Sequence, residues 1–345
     1  MAISMRSGRR QQRGGGGLRI RLSSQRRLFR TIIISLVFIA VVPPIFFHFR
    51  LKRLHQIQGR KCGWMKDPPL VCAHGGDSTN AFPNTMDAYR IALHSKVDCV
   101  EIDVSRSFDG VLFALHDRME LEECLGCSIE NDYKHASSRD LQRISGNSTS
   151  KVGYLSMKEI KELGRANQSA QMFLQESIPT IEDALKLISN SVRQVILDAK
   201  VGPPSYEKGL AKDILSVVER THCRNCLVWA KSDNLVRDVI KLSPNTTVGY
   251  IVMKDPSTGL RTNLMRMKGA GVVGVYHPLI DEMLMKTLHG RNKKVYAWTV
   301  DDVDSMQKML FERVDAIVTS NPTLLQSLMQ DIRTQCLEDG FSLSQ

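Results

Sequence analysis

Acidic residues are missing from the first 61 positions, which carry 14 Lys and Arg, so the formal charge of +11 over 345 residues belongs to one end of the chain. Positions 62 to 345 hold 33 basic and 36 acidic residues, a net of −3. That balance gives the folded part no basic face for nucleic acid, and no nucleic-acid partner is expected. Residues 1 to 30 also have little to bury, since nine Arg and a glycine run leave few apolar side chains. The sequence therefore predicts a disordered basic tail there.

Charge of either sign is absent from Thr31 to Phe49, TIIISLVFIAVVPPIFFHF. Nineteen residues at about 1.5 Å each reach roughly 28 Å, close to the hydrocarbon thickness of a bilayer. Pro43 and Pro44 break helices in water but are tolerable near the end of a single span. A cleaved signal peptide and a buried core segment are the alternatives. No small-x-small cleavage site follows, and basic residues flank both sides, which favours an anchor. Nine Arg precede the segment and five basic residues follow it (Arg50, Lys52, Arg53, Arg60, Lys61), so the positive-inside rule predicts a cytoplasmic N-terminus and a lumenal or extracellular bulk. The expected organisation is a basic cytoplasmic tail at 1–30, a transmembrane anchor at 31–49, a juxtamembrane linker at 50–69, a barrel at 70–330 and a C-terminal tail at 331–345.

Three Asn-x-Ser/Thr patterns, at Asn147, Asn167 and Asn245, agree with a lumenal glycoprotein. The eight cysteines include Cys124-x-x-Cys127 and Cys223-x-x-Cys226, but 95 residues separate the pairs, which is not a compact zinc ribbon. Disulfides, unpaired buried thiols and zinc ligation all remain open, with disulfides favoured in an oxidising compartment.

No Gly-x-Gly-x-x-Gly fingerprint follows the first apolar run, which disfavours an open doubly wound sheet. Short apolar runs instead alternate with helical patterns from Leu70 onward. The runs are LVCAH, CVEIDVS, VLFALHD, QVILDAKV, CLVWAKS, TVGYIV, VVGVYHP, KVYAWTV and DAIVTS. Asp109-Gly110 marks a hairpin, so VLFALHD is a flap returning along its neighbour, and eight strands are left to close a ring. Helices are predicted from Asn84, with a cap residue at its start, from Thr180, and near Ser156, Tyr206, Asp281, Asp302 and Thr323. Residues 118 to 178 read as an inserted loop region. The predicted fold is an α/β (β/α)8 TIM barrel with that insertion, preceded by a single transmembrane helix.

In such a barrel the reactive groups stand at the C-terminal ends of strands. His74 ends the first run; Glu101 and Asp103 share a face of the second; His116 and Asp117 end the flap; Asp198 and Lys200 share a face of another; Trp298 and Thr299 close a late one. Paired acids on a strand are commonly only a solvated face, but the inner face of a closed barrel is not solvent. Three inward carboxylates are costly unless a cation neutralises them, and all-oxygen ligands favour Mg²⁺ or Ca²⁺. His74 and His116 would flank that metal as general acid and base, and Lys200 would face an anionic substrate.

The string HGG, NT, DCVEIDVSRSFDGVLFALHD resembles the core signature of the glycerophosphodiester phosphodiesterase family, which has His-Arg-Gly, Glu-Asn-Thr, Glu-x-Asp and a His-Asp after an Asp-Gly turn. IPTIEDAL, LDAK, VYAWTVDD and DAIVTSNP resemble that family's downstream segments in order, so the likeness spans most of residues 70 to 325. It implies His74 and His116 as the acid/base pair, Glu101, Asp103 and Asp198 as ligands of Mg²⁺ or Ca²⁺, Lys200 on the phosphate, and Trp298 walling the pocket mouth. Asp198 stands where many members have Glu. Gly75 replaces the family's phosphate-binding Arg and Pro83 the Glu of Glu-Asn-Thr. Losing both together leaves no orphan charge, and Gly76 still allows close backbone approach to a ligand. The implied activity is metal-dependent hydrolysis of glycerophosphodiesters to sn-glycerol 3-phosphate and an alcohol. Alternatives are a lysophospholipase D acting on lysophospholipids at the membrane, or a non-catalytic binding protein with a decayed site.

Overall fold

The computed structural model describes residues 18–116, 152–166, 178–255 and 258–342. The chain divides into two units, Met1–Gly59 and Arg60–Gln345. In the first, the described residues belong to helix α1 (Leu18–Cys62), whose last residues enter the second unit. Among the described residues this is the one helix long and apolar enough to cross a membrane, with an apolar stretch of mean hydropathy 2.5. Pro43 and Pro44 lie inside it, and the helix continues on both sides of them.

The second unit is a closed barrel. Its strands are β1 (Leu70–His74), β2 (Cys99–Arg106), β3 (Leu112–Ala114), β4 (Gln194–Ala199), β5 (Cys226–Ala230), β6 (Thr247–Val252), β7 (Val272–Tyr276), β8 (Lys294–Trp298) and β9 (Ala316–Thr319). The spatial order is β1-β9-β8-β7-β6-β5-β4-β2-β3, and the further pairing of β1 with β2 closes eight parallel strands into a ring. Strand β3 pairs antiparallel with β2 outside the ring, as the Asp-Gly turn predicts. The runs rich in Val, Ile and Leu suit strands buried on both faces. One face supplies a barrel interior of Cys72, Cys99, Ile196, Leu227, Trp229, Ile251, Val272, Tyr296, Ala316 and Val318, drawn from all eight ring strands. The opposite face packs on the helices in a larger core that includes Val100, Ile102, Leu197 and Val228.

The described helices after α1 are α2 (Met86–His94), α3 (Met157–Ala166), α4 (Ile181–Ile188), α5 (Leu210–Arg220), α6 (Asp233–Leu242), α7 (Glu282–His289), α8 (Val303–Glu312) and α9 (Pro322–Glu338). Thr180, Asp281 and Asp302 cap α4, α7 and α8 as expected, each accepting a backbone N–H three residues on. Two starts differ from expectation. The cap of α2 is Thr85, whose hydroxyl accepts from Ala88 N at 3.2 Å, while Asn84 has φ of 61° and turns its side chain inward. Helix α5 begins at Leu210 rather than near Tyr206, because Tyr206 and Gly209 take φ of 45° and 73°, outside the helical region.

Of the predicted insertion, the described residues are 152–166 and Ile178, and α3 packs with Phe113, Leu115 and Ile178 beneath the flap. Asp117, Asn147, Asn167, Cys124 and Cys127 lie outside the described residues. Cys223 and Cys226 form a disulfide, which answers the zinc alternative for that pair, and Cys62 is bonded to Cys336. The second bond ties the end of α1 to α9, which runs on beyond residue 330, where the sequence places the start of a tail. Cys72 and Cys99 are free, buried thiols, opposite one another on β1 and β2.

Candidate active site

Period two along the strands delivers the polar groups to one place. Glu101 and Asp103 face inward from β2, and Asp103 is in register with Asp198 on β4. One carboxylate oxygen from each of Glu101, Asp103 and Asp198 can be chosen so that all lie within 4.8 Å of one another. Glu101 and Asp103 are each 1% exposed. Two full negative charges at that spacing repel by about 3.5 kcal/mol at an effective dielectric near 20. The consequence appears in Glu101, whose carboxyl is pushed well above its ordinary range by burial and by the neighbouring charges of Asp103 and Asp198. Asp103 is buried too, yet Lys200 and both imidazoles hold it below the ordinary carboxylate range.

Lys200, the residue after β4, bridges two of the acids. Its ammonium lies 2.6 Å from Oδ1 of Asp103 and donates to Oδ2 of Asp198. Burial opposes its charge, but the three carboxylates keep it protonated well above the usual lysine value. One lysine cannot neutralise three acids. Oδ1 of Asp198 is buried with no hydrogen-bond partner among the described residues. An orphaned anionic oxygen inside an all-oxygen cluster fits a hard divalent cation, with Glu101, Asp103 and Asp198 as the residues able to hold it.

The loop after β1 supports this cluster. Gly75 and Gly76 have φ of 63° and 87°, the left-handed region that glycine enters freely. The turn aims the N–H of Gly75 at Oε2 of Glu101, 2.9 Å away. Gly76 also packs closely against the protein: a Cβ there would stand 2.6 Å from the carbonyl carbon of Ala88. Asn84 clasps Asp103 twice, donating from Nδ2 to Oδ2 at 2.7 Å and accepting from the backbone N–H at 3.1 Å, and Tyr89 donates to the same Asn oxygen at 3.2 Å. Sequence reasoning placed Asn84 at a helix start. Its left-handed backbone, tolerable for Asn, is what frees the amide for this role.

His74 ends β1 and lines a cavity with Glu101, Asp198, Trp229, Lys231, Ile251, Trp298, Thr299 and Val318. Burial lowers the affinity of His74 for a proton, and the charge of Asp103 works the other way. His116, at the end of the flap, is close enough to Asp103 to help keep it ionised. Trp298 stands on the cavity wall, packed at 5.7 Å between ring centroids against Tyr276. Lys200 lies between Asp103 and Asp198. Sequence reading missed Trp229 and Lys231 on β5 and just after it; the run CLVWAKS carried them, but nothing in one strand said which strands it would face.

Eight parallel strands closed into a ring, with a carboxylate triad suited to a divalent cation at their C-terminal ends, define a TIM barrel of the kind that carries its active site there. The profile described as the glycerophosphoryl diester phosphodiesterase family matches residues 74–324. The chain belongs to that family and is a phosphodiesterase acting on small-molecule glycerophosphodiesters. It is 58% identical over 347 residues to glycerophosphodiester phosphodiesterase GDPD4 of Arabidopsis thaliana, covering 99% of each chain. It is 26% identical to a glycerophosphodiester phosphodiesterase of Caldanaerobacter subterraneus, over 76% of this chain and 98% of the relative. Among solved structures, an Oleispira antarctica phosphodiesterase in complex with the product sn-glycerol-3-phosphate superposes with a TM-score of 0.60 at 22% identity, covering 76% of this chain and 97% of that one. The Silicibacter pomeroyi relative gives a TM-score of 0.61 at 18% identity, over 79% and 98%. These last two likenesses are of fold.

Proposed function

We propose that the chain releases sn-glycerol 3-phosphate and an alcohol from glycerophosphodiesters at the C-terminal mouth of the barrel, with His74 and His116 as its acid/base pair. The observation that carries this reading is the convergence of Glu101, Asp103 and Asp198 within 4.8 Å, with Glu101 and Asp198 lining one cavity with His74. One imidazole takes the proton of the attacking hydroxyl, the substrate's own or that of water, as the new O–P bond forms. The other gives a proton to the departing alcohol oxygen as the old P–O bond breaks, and where the substrate's own hydroxyl attacked, water then opens the cyclic phosphate with the roles of the two imidazoles exchanged. A bound Mg²⁺ or Ca²⁺, held by the three carboxylates, supplies Lewis-acid stabilisation of phosphoryl charge. Lys200 holds Asp103 and Asp198 converged, Asn84 fixes the rotamer of Asp103, and Trp298 packs on the apolar part of the substrate.

In this reading residues 31–49 span the membrane, residues 1–30 stay in the cytoplasm and the barrel works on the lumenal or extracellular side. Membrane tethering is compatible with deacylated lipid head groups as substrates, and lysophospholipids are the second class, favoured by the apolar wall of Trp229, Ile251, Trp298 and Val318. The test is release of glycerol 3-phosphate from glycerophosphocholine by the full-length chain in detergent, beside Glu101→Ala and His116→Ala. Equal signal from wild type and variants would remove the catalytic reading in favour of a binding protein. Release of lysophosphatidic acid from lysophosphatidylcholine, in place of glycerol 3-phosphate, would move the substrate to the lysophospholipid class.

A further inference from the structure

The mouth of the barrel is divided by side-chain type. On one side β1, β2 and β4 supply His74, Glu101 and Asp198 to a shared cavity. On the other, β7 and β8 end in Tyr276 and Trp298, which are partners in register. Two residues earlier on these strands, Tyr296 belongs to the barrel interior and a Cβ on Gly274 would meet the Trp229 ring at 2.7 Å, so both strands turn that face inward. Period two then directs Tyr276 and Trp298 to the inner side of the mouth. Both are half-buried, and Trp298 lines the cavity that holds His74 and Asp198.

The two rings form a corner. Their centroids are 5.7 Å apart and their planes meet at 47°, so they are neither stacked nor edge-on. His277 stands edge-on to Tyr276, at 5.5 Å between centroids. The turns after β7 and β8, residues 277–281 and 299–302, contain Asp281, Asp301 and Asp302, all exposed, and no Lys or Arg. Each of these carboxylates accepts a backbone N–H, from Leu284, Ser320 and Ser305 respectively. Basic residues occupy another part of the mouth, with Lys231 just past β5 and Lys254 and Arg261 after β6. Lys231 is two strand spacings from β7, roughly 10 Å along the ring. Ring faces beside three acids suit a cation. A primary ammonium needs oxygen acceptors for its three N–H groups, whereas a trimethylammonium has none and is met by aromatic faces and apolar wall. That wall continues in Ile251 and Val318.

We propose that Tyr276 and Trp298 hold the quaternary ammonium of a choline ester, so that choline is the alcohol the enzyme releases, with the phosphate on the side of His74. This rests on the phosphodiesterase reading of the cavity and deepens it by naming the leaving group. Tyr276 is then a specificity-determining residue. Glycerophosphocholine and lysophosphatidylcholine both carry the trimethylammonium group. An uncharged head group, such as glycerol, fills the corner without the attraction of a cation to the ring faces.

The test uses the full-length chain in a non-ionic sugar detergent, as wild type, Tyr276→Leu, Tyr276→Phe, Trp298→Leu and His116→Ala. Turnover of glycerophosphocholine, glycerophosphoglycerol and lysophosphatidylcholine gives kcat/KM for each. Calorimetric titration with choline and with neohexyl alcohol, its uncharged isostere in which carbon replaces nitrogen, reads the ammonium site without turnover. Wild type is expected to favour glycerophosphocholine over glycerophosphoglycerol, and choline over the isostere, by about five- to thirtyfold, the scale of a cation on aromatic faces. Tyr276→Leu is expected to bring both ratios to within about twofold of unity, and Tyr276→Phe to keep most of them, since the ring carries the attraction. Wild type that binds choline no tighter than the isostere would overturn the proposal, as would a folded Tyr276→Leu that keeps the wild-type ratios. Should Tyr276→Leu not fold, Trp298→Leu and the isostere comparison in wild type decide. Faster turnover of lysophosphatidylcholine than of glycerophosphocholine would support the corner with a lipid as the source of choline, and the reverse order supports it with the deacylated head group. If wild type turns over no substrate faster than His116→Ala, the phosphodiesterase reading falls, and choline against its isostere still decides whether the corner holds an ammonium.

Discussion

A Cβ built on Gly75 would stand 3.0 Å from the Cβ of Pro83, so the two positions at which the chain departs from its family's charged residues are neighbours in space. An Arg and a Glu at these sites would face one another. Their joint replacement by Gly and Pro removes both members of a pair and leaves no buried charge unmatched. The coupling can be measured. Gly75→Arg alone should lower stability by about 1–3 kcal/mol, since a side chain at φ of 63° is strained and the new charge lacks a partner. Adding Pro83→Glu should return part of that loss, and a double-mutant cycle from urea unfolding should give a favourable interaction of about 0.5–3 kcal/mol. Strict additivity would mean that the two sites do not communicate.

Asn84 offers a test of positioning. Asn84→Ala removes both hydrogen bonds that orient Asp103 while leaving every acid and histidine in place. Support of this kind is worth about 10–100-fold in metal affinity. The Mg²⁺ concentration for half-maximal activity should rise by that factor, with activity returning at saturating metal. A loss of kcat that no metal concentration restores would assign Asn84 a direct chemical role instead.

Divalent cations should stabilise the fold as well as switch on activity. Chelation should abolish turnover, and metal at about 100 times its Kd should raise unfolding free energy by about 2.7 kcal/mol. Asp198→Asn should lose most of that gain, because its orphaned oxygen is among those able to meet the ion. Equal metal-dependent shifts in Tm for wild type and Asp198→Asn would place the cation elsewhere.

The acid/base pair makes a sharper demand. His74→Ala and His116→Ala should each reduce kcat by about 10²- to 10⁴-fold on glycerophosphocholine while Tm changes little. Because the pair acts as a unit, the double variant should be scarcely worse than either single one. Multiplying losses would show that the two imidazoles act in independent steps.

Topology has its own readout. Asn245, exposed in the turn after α6, belongs to one of three acceptor patterns. Expression in cells should give a glycosidase-sensitive protein, and Asn245→Gln should shorten the mobility shift by one glycan. An unglycosylated chain with reduced Cys62 and Cys336 would put the barrel on the cytoplasmic side.

Much of the architecture was legible because it rests on local chemistry. Period two set Glu101 beside Asp103 and Asp198 beside Lys200 on their strands, Asp109-Gly110 announced the hairpin, and Thr180, Asp281 and Asp302 announced their helices. The charge-free stretch from Thr31 to Phe49 likewise marked itself by composition. What a strand cannot report is its neighbour. Register across β2, β4 and β5 is decided by closure of the ring, and it alone set Asp103 beside Asp198, gave Lys200 to the acids and brought Lys231 and Trp229 into their cavity. The inward turn of Asn84, the bond from Cys62 to Cys336 and the nearness of positions 75 and 83 belong to the same class. The order of residues thus determined which groups the protein owns and which face of each element they occupy; packing eight strands around one axis decided which of them meet, since distance between segments is a property of the closed barrel and not of any stretch of chain.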